Sequence, residues 1–145
     1  MVAIPGIDRI FLHSPGANNT FCNADIPEEV LEDAALFHIG YPPVMRRLYE
    51  ADGAELAAIL RRMKEKNIAT SLDMTNVDPN SEAGKLDWVK ILENVLPYTD
   101  FFVPSFEELC FMLDRQRYVS QDQRPGEHGS GRQQPAVGWG CLERL

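Results

Sequence analysis

Three polar positions follow short strand-like runs and have side chains that could do chemistry. Asp73 comes directly after the run Ile68 to Leu72, and Ser105 and Glu108 come after the run Asp100 to Val103. If both runs are parallel strands, these side chains stand at the strand ends beyond which such sheets bind ligands. A carboxylate such as Glu108 could then help to hold a hydrated Mg²⁺ beside phosphate groups.

Each of these positions also has a structural interpretation. Ser105 and Glu108 form the pattern Ser-x-x-Glu before an apolar helix. That pattern is a capping box, and taken alone it favours capping over function. Asp73 could equally well cap the turn after its strand. The loop Gly16 to Asn18 could let a ligand approach the backbone, although a plain turn is the favoured interpretation.

The histidines and cysteines form no recognisable metal or catalytic set. His13 and His38 lie in or beside apolar runs with no acid at metal-ligand spacing, so both are interpreted as packed or hydrogen-bonded residues. Cys22, Cys110 and Cys141 are odd in number and widely spaced. This spacing predicts neither a disulfide framework nor a zinc site, and it favours reduced thiols in a cytoplasmic protein.

The composition is that of an ordinary globular protein with an acidic charge balance. Of the 145 residues, 44% are apolar and 25% are charged, and the net charge is −8. No apolar run approaches the ~18 residues of a membrane helix, and Met1 to Ile10 does not have the pattern of a signal peptide. The negative charge argues against a nucleic-acid partner. It does not argue against a nucleotide, because helix N-termini and Mg²⁺ can neutralise phosphates.

Strand-like and helix-like patterns alternate along the chain. Strands are predicted at Arg9 to His13, Ala35 to Ile39, Ile68 to Leu72 and Asp100 to Val103. Helical segments are predicted at 27–33, 42–48, 52–66, 86–96 and 105–113, with a second capping box formed by Asp52 and Glu55. The alternation predicts an α/β fold, a three-layer α/β/α arrangement in which helices cover both faces of a mainly parallel sheet.

The amino-acid composition of the sequence changes after Arg117. Residues 1–117 are predicted to form the α/β domain. Residues 118–145 are rich in Gln, Gly, Pro, Arg and Ser, and such a composition buries too little apolar surface to offset the entropy of ordering the chain. That segment is interpreted as a disordered or non-native tail. A frameshift and a genuinely divergent tail are the two hypotheses for its origin.

Four segments, taken in their order and spacing, carry a resemblance to a known family. They are Phe11 to Asn18, a strand with a Gly-Ala-Asn loop; Ala35 to Pro43, a strand with a loop at its end; Thr70 to Met74, a strand ending in an acid; and Leu96 to Glu108. The last is similar to an Asp-x-x-x-Pro-Asn-x-x-Glu segment. Together they resemble the middle of a carbohydrate kinase of the PfkB family, which includes ribokinase, fructokinase and adenosine kinase.

The resemblance implies transfer of the γ-phosphate of ATP to a hydroxyl group of a sugar or nucleoside, with ATP and Mg²⁺ as cofactors. It implies that Asn18, Asp73, Ser105 and Glu108 bind substrate or nucleotide, Glu108 acting on Mg²⁺ indirectly through water. It implies no nucleic-acid or membrane partner, and it is compatible with a homodimer in a full-length parent. One departure concerns the fourth segment, where Ser105 stands at the position of the family's Asn.

Two family motifs are not found in this sequence, namely the Gly-Gly sugar-binding motif and the Gly-Ala-Gly-Asp segment whose Asp is the general base. Because phosphoryl transfer depends on positioning and charge stabilisation, we expect a kinase fragment that is inactive alone, with no catalytic residue of its own. The alternative is a non-catalytic nucleotide-binding or interaction module that retains the middle of the kinase fold.

Overall fold

The structure is a computed structural model and describes residues 13–115. Its strands and α-helices are β1 (Leu36–Gly40), α1 (Arg46–Glu65), β2 (Ala69–Asp73), α2 (Trp88–Val95), β3 (Phe101–Phe102) and α3 (Phe106–Leu113). Short 3-10 helices occupy Gly16–Asn19, Asn23–Asp25, Glu28–Val30, Pro42–Val44, Ala83–Lys85 and Leu96–Tyr98. The predicted strand before His13 and the segment 118–145 lie outside the described residues.

The three strands form one parallel sheet in the order β1-β2-β3. The register pairs Gly40 of β1 with Asp73 of β2, and Leu72 of β2 with Phe102 of β3. All three strands therefore end at the same edge of the sheet, which we call the carboxyl edge. The opposite edge, where the strands begin, is the amino edge.

Both connections between strands cross the same face of the sheet. Right-handed β-α-β connections that step from β1 to β2 to β3 in one direction place α1 and α2 on one face. The core lies between these helices and the sheet, where Ile39 and Leu72 are 6% and 0% exposed. The helices bury in it the residues Leu56, Ile59, Leu60, Met63, Ile91, Leu92 and Val95. This helical spacing of apolar residues explains why both segments form amphipathic helices.

The opposite face of the sheet carries apolar side chains that contact solvent. Side chains alternate between the two faces along a strand, so Leu36, Phe101 and Val103 point away from the helices and are 52%, 58% and 56% exposed. Between them lie His38 and Ser71, which are paired in register, with His38 Nδ1 3.1 Å from Ser71 Oγ. Within residues 13–115, helices cover one face of the sheet only.

A left-handed turn interrupts α1 one turn after its start. Glu50 leaves the helical conformation, and Ala51, Asp52 and Gly53 follow with φ of +50°, +56° and +77°. Positive φ is costly for residues with a Cβ atom, so the turn needs compensating contacts. Asp52 supplies them, since its backbone oxygen accepts a hydrogen bond from Asn94 Nδ2 at 3.0 Å and its carboxylate lies 2.6 Å from Lys90 Nζ.

Gly53 brings the backbone of α1 against α2. A Cβ atom at this position would lie 2.9 Å from Ile91 Cγ2 and 3.3 Å from Val95 Cγ2. Glycine is therefore required at this position for two reasons, the positive φ of the backbone and the close approach of α2.

The segment from His13 to Ala35 runs along α1 from the carboxyl edge back to the amino edge. Asn19 Oδ1 accepts a hydrogen bond from the N–H of Arg46, the first residue of α1, at 3.1 Å. Further along, Arg62 Nη1 donates to the Asn23 backbone oxygen at 3.0 Å and Arg62 Nη2 donates to Glu28 at 2.6 Å. Lys66 also pairs with Glu28. These two cations, Lys66 first, hold the pKa of Glu28 below its usual value.

A polar cluster joins the amino ends of β2 and β3. The Thr70 hydroxyl donates to the Tyr98 backbone oxygen at 2.7 Å, and the Asp100 carboxylate accepts from the Thr70 N–H at 2.8 Å. Lys64 Nζ lies 2.5 Å from the other Asp100 oxygen. The Lys64 ammonium, followed by the Thr70 N–H, lowers the pKa of Asp100. A depressed folded-state pKa contributes stability above the unfolded pKa, and that contribution is lost as pH falls through the folded pKa.

The α/β class with a parallel sheet is confirmed. Of the three expected layers, the described residues form the sheet and one helical layer. The strands at Ala35, Ile68 and Asp100 and the helices ending near Val95 and Leu113 are confirmed to within about two residues, the usual uncertainty of element ends. Among the described residues, no helix is both long enough and apolar enough to cross a membrane.

One local prediction is confirmed in part and another was wrong. The short helix predicted at 27–33 is present as the 3-10 helix Glu28–Val30. Asp52 and Glu55 do not form a capping box, because Asp52 pairs with Lys90 and Glu55 accepts a hydrogen bond from the Asn23 N–H at 2.7 Å. In this second case, contacts with distant segments replace the local pattern.

Replacing Gly53 with alanine tests the contact between α1 and α2. We expect Gly53→Ala to lower the free energy of unfolding by roughly 1–3 kcal/mol, because the added methyl group meets Ile91 and the positive φ becomes strained. Gly40→Ala is the matched control, since a Cβ there meets only ordinary contacts at 3.7 Å. Urea denaturation measures the free energy of unfolding of both variants. An equal loss of stability in the two would contradict the close approach of α1 to α2 at Gly53.

A pair of leucines tests which face of the sheet is buried. Leu60 is 0% exposed in the core, and Leu36 is 52% exposed on the opposite face. Leu60→Ala should cost about 2–5 kcal/mol of unfolding free energy, because it leaves a cavity. Leu36→Ala removes the same atoms and should cost about 0.5 kcal/mol. Thermal unfolding of both variants measures the difference, and comparable losses would show that the Leu36 face is covered.

Candidate functional site

The candidate site lies at the carboxyl edge, where the sheet register aligns the ends of the three strands. Gly40 and Asp73 are direct neighbours across β1 and β2. The Val103 N–H donates to the Leu72 backbone oxygen at 2.9 Å, so the chain after β3 continues beside Asp73 before it enters α3. Asp73 and the start of α3 are thus brought to one edge of the sheet, as the sequence predicts.

Asp73 closes the turn that follows its strand. It is half-buried, and its Oδ1 accepts a hydrogen bond from the Met74 N–H at 2.8 Å. This bond agrees with the capping interpretation of Asp73. Among the described residues, no hydrogen bond reaches the second carboxylate oxygen, Oδ2, so that oxygen can accept one from a ligand or from water.

Ser105 and Glu108 form the predicted capping box at the start of α3. Ser105 Oγ accepts from the Glu108 N–H at 3.3 Å, and Glu108 Oε2 accepts from the Ser105 N–H at 2.7 Å. The box satisfies N–H groups at the helix start that would otherwise have no partner. The favoured structural interpretation of this pair is confirmed. One Glu108 oxygen, Oε1, accepts no hydrogen bond within residues 13–115.

Asn18 lies in the 3-10 helix Gly16–Asn19 and is exposed. Its N–H donates to the Pro15 backbone oxygen at 2.9 Å, which makes the loop the plain turn that was favoured. The neighbouring Asn19 anchors this loop through its bond to the Arg46 N–H. Because α1 begins just after β1 ends, the loop is held on the carboxyl-edge side of the molecule. Asn18 is thus presented to solvent on that side.

Two features of this region escaped the sequence interpretation. Tyr41 follows β1 with φ of +71° and is 50% exposed, an unusual backbone conformation for an aromatic residue. Its N–H donates to the Asp73 backbone oxygen at 3.5 Å, a long hydrogen bond. The second feature is the pair His38 and Ser71, one position before the strand ends. The predicted hydrogen-bonded role of His38 is confirmed, but no signal in the sequence pointed to Ser71.

The guanidinium of Arg46, at the start of α1, lies beside two carboxylates. Arg46 Nε lies 2.6 Å from Glu50, and Arg46 Nη2 lies 3.9 Å from Glu82. A paired guanidinium attracts a phosphate less strongly than one without a carboxylate neighbour, because the carboxylate repels the incoming anion.

The described residues do not form a direct metal cage. No group of three or more His, Cys, Asp or Glu side chains within residues 13–115 is arranged to hold a metal ion. Asp73 Oδ2 and Glu108 Oε1 are single carboxylate oxygens on separate elements. Such oxygens fit a Mg²⁺ that keeps its water shell, because Mg²⁺ is bound through one or two carboxylates plus phosphate and water.

The chain was compared with protein-family models, with curated proteins and with solved structures, and none of these comparisons found a match.

Removal of the Ser105 hydroxyl tests the capping box. Ser105→Ala should lower the free energy of unfolding by about 1 kcal/mol, because the Glu108 N–H loses its acceptor. Ser14→Ala is the matched control on an exposed residue outside any helix and should change stability by less than about 0.5 kcal/mol. Chemical denaturation measures both variants. Equal free energies of unfolding for the two variants would show that the capping box does not stabilise α3.

Proposed function

We propose that the chain carries the phosphate-facing part of an ATP-dependent carbohydrate kinase of the PfkB type. The parent reaction is transfer of the γ-phosphate of ATP to a hydroxyl group of a sugar or nucleoside. The observation that carries the proposal is the alignment of Asp73 and the Ser105 cap at one edge of a parallel sheet. Ligands of parallel α/β sheets bind at that edge.

In this proposal Asp73 and Glu108 act through the water shell of Mg²⁺. Each carboxylate uses one oxygen for the backbone and keeps the other available. The backbone bonds hold both groups in place before a ligand arrives, which lowers the entropy lost on binding. Bound Mg²⁺ would neutralise phosphate charge. Ser105 orients Glu108, and Asn18 offers an exposed amide on the same side of the molecule.

Tyr41 is suited to contact the acceptor sugar or a nucleoside base. Tyr41 is 50% exposed and directly follows Gly40, the residue of β1 that pairs with Asp73. An aromatic ring with a hydroxyl group offers an apolar surface for stacking and a polar group for hydrogen bonding. Neither function requires a charge at this position.

For these 145 residues we propose binding without useful turnover. Phosphoryl transfer requires a positioned base and a stabilised anion, and the sequence contains no Gly-Ala-Gly-Asp segment. We further propose a cytoplasmic location with reduced thiols, supported by the odd number and wide spacing of Cys22, Cys110 and Cys141. Small-molecule ligands are proposed in preference to nucleic acid because of the net charge of −8.

The second candidate is a non-catalytic nucleotide-binding or interaction module. Two observations favour it. Arg46 is already paired with Glu50 and Glu82, which weakens its attraction for phosphate. In addition, Leu36 and Phe101 expose apolar surface on the open face of the sheet, and exposed apolar patches often mark interaction sites.

Calorimetric titration with Mg²⁺-ATP tests the proposed site. We expect binding that Glu108→Gln and Asp73→Asn each weaken roughly tenfold, because loss of a carboxylate charge weakens the hold on Mg²⁺. Both substitutions keep an oxygen that can accept the backbone hydrogen bond, so the cap and the turn survive. Glu93→Gln is the control for charge, since Glu93 is an exposed residue on α2.

The outcomes separate a nucleotide-binding site from an interaction module that binds no nucleotide. Binding that depends on Mg²⁺ and weakens in both site variants supports the kinase-derived nucleotide site. Undetectable binding would contradict that site and leave the interaction module as the better hypothesis. Clear phosphorylation of any member of a sugar and nucleoside panel by the chain alone would contradict the absence of turnover.

A further inference from the structure

The face of the sheet opposite α1 and α2 carries a group of polar side chains beside Gly40. Side chains alternate along a strand, so His38 and Gly40 lie on this face of β1, opposite the buried Ile39. Ser71 and Asp73 lie on the same face of β2. The register pairs His38 with Ser71, and it pairs Gly40 with Asp73. The sheet thus brings a carboxylate close to His38 that no local sequence pattern provides.

Two of these side chains flank the space above Gly40. A Cβ atom at Gly40 would lie 3.7 Å from His38 Nε2 and 3.7 Å from Asp73 Cβ. Apart from the chain neighbours of Gly40, no other atom of residues 13–115 would lie within 4 Å of it. The space is therefore open, with an imidazole nitrogen on one side and a carboxylate side chain on the other.

The contact with Ser71 prepares His38 as a metal ligand. His38 is exposed, and its Nδ1 lies 3.1 Å from Ser71 Oγ. When Nδ1 carries the proton, it donates to Oγ and leaves a lone pair on Nε2. Metal-binding histidines are commonly oriented in this way, by a hydrogen bond from the second ring nitrogen to a nearby oxygen. In the described part of the chain, no hydrogen bond reaches Nε2.

Asp73 is oriented in a similar manner. Its Oδ1 accepts the hydrogen bond from the Met74 N–H at 2.8 Å, which holds the carboxylate while Oδ2 stays available. Both side chains are thus ordered by a hydrogen bond before an ion arrives, and this lowers the entropy lost on binding.

We propose that His38 Nε2 and Asp73 Oδ2 bind a divalent transition-metal ion, represented by Zn²⁺, in the space above Gly40. Imidazole and carboxylate groups suit Zn²⁺, with Zn–N and Zn–O bonds of about 2.0–2.2 Å. An ion bound to both atoms brings them to roughly 3–3.5 Å from each other. Among residues 13–115, no third His, Cys, Asp or Glu completes the set. Water fills the other coordination positions, so the ion stays open to a further ligand.

The types of ligand distinguish this site from the proposed Mg²⁺ site. Mg²⁺ takes oxygen ligands and keeps much of its water shell, whereas a neutral imidazole nitrogen favours Zn²⁺. Asp73 is common to the two sites, but the Zn²⁺ site requires His38 and needs neither Glu108 nor a nucleotide. The inference goes beyond the proposed function and does not rest on it.

NMR of the histidine ring nitrogens in the full ¹⁵N-labelled chain, titrated with ZnCl₂ and no nucleotide, tests the site. We expect a saturable shift of His38 Nε2 while Nδ1 keeps its proton. Asp73→Asn and Ser71→Ala should each weaken binding at least about tenfold, because one removes a charged ligand and the other removes the acceptor of the Nδ1 proton. Gly40→Ala alters no ligand and should weaken binding because its methyl group occupies the space. Glu93→Gln is the charge-matched control on α2 and should leave binding unchanged.

Two results would overturn the proposal. One is a shift of the exposed His13 as large as that of His38 at equal Zn²⁺ concentration, which would show adventitious binding to exposed imidazoles only. The other is an affinity for Zn²⁺ that Asp73→Asn does not change. Because the titration contains no nucleotide, either result leaves the test with Mg²⁺-ATP unaffected. Undetectable binding of Mg²⁺-ATP would equally leave the Zn²⁺ site intact.

Discussion

The close approach of α1 to α2 at Gly53 is the contact on which the rest of the described structure depends. It requires a residue without a side chain, because Ile91 occupies the space that a Cβ atom would take. It also requires the left-handed turn that Asp52 ties to α2 through Lys90 and Asn94. With the two helices locked together, they cover Leu72 of the central strand. The sheet register then carries all three strand ends to one edge.

The two carboxylates at that edge accept hydrogen bonds from backbone N–H groups, and each keeps an oxygen that can accept from a ligand. Asp73 bonds to the Met74 N–H, and Glu108 bonds to the Ser105 N–H. A carboxylate has two oxygens and about four acceptor positions, so a structural bond does not exclude a ligand. The structural and functional interpretations of the Ser-x-x-Glu pattern are therefore compatible. The structural bond also fixes the direction in which the remaining oxygen points.

The two faces of the sheet are in opposite situations. Helices α1 and α2 cover one face, whereas Leu36, Phe101 and Val103 on the other face are in contact with solvent. Parallel sheets almost always have both faces covered, because each Å² of apolar surface removed from water contributes about 25 cal/mol. The open face is thus the part of residues 13–115 that gains most from further burial. The polar side chains of His38 and Ser71 on this face are hydrogen-bonded to each other.

The sequence by itself determined the type and order of most elements. The apolar run before Asp73 and the cap at Ser105 predict a strand and a helix, because both patterns depend on residues within about four positions. Tertiary structure alone decided the turn at Asp52, whose partner Asn94 is 42 positions away, and the role of Glu55, whose partner Asn23 is 32 positions away. It also paired His38 with Ser71, 33 positions apart. Local periodicity shows which side of a helix or strand is apolar. The packing of the helices and strands determines which distant residue contacts that side.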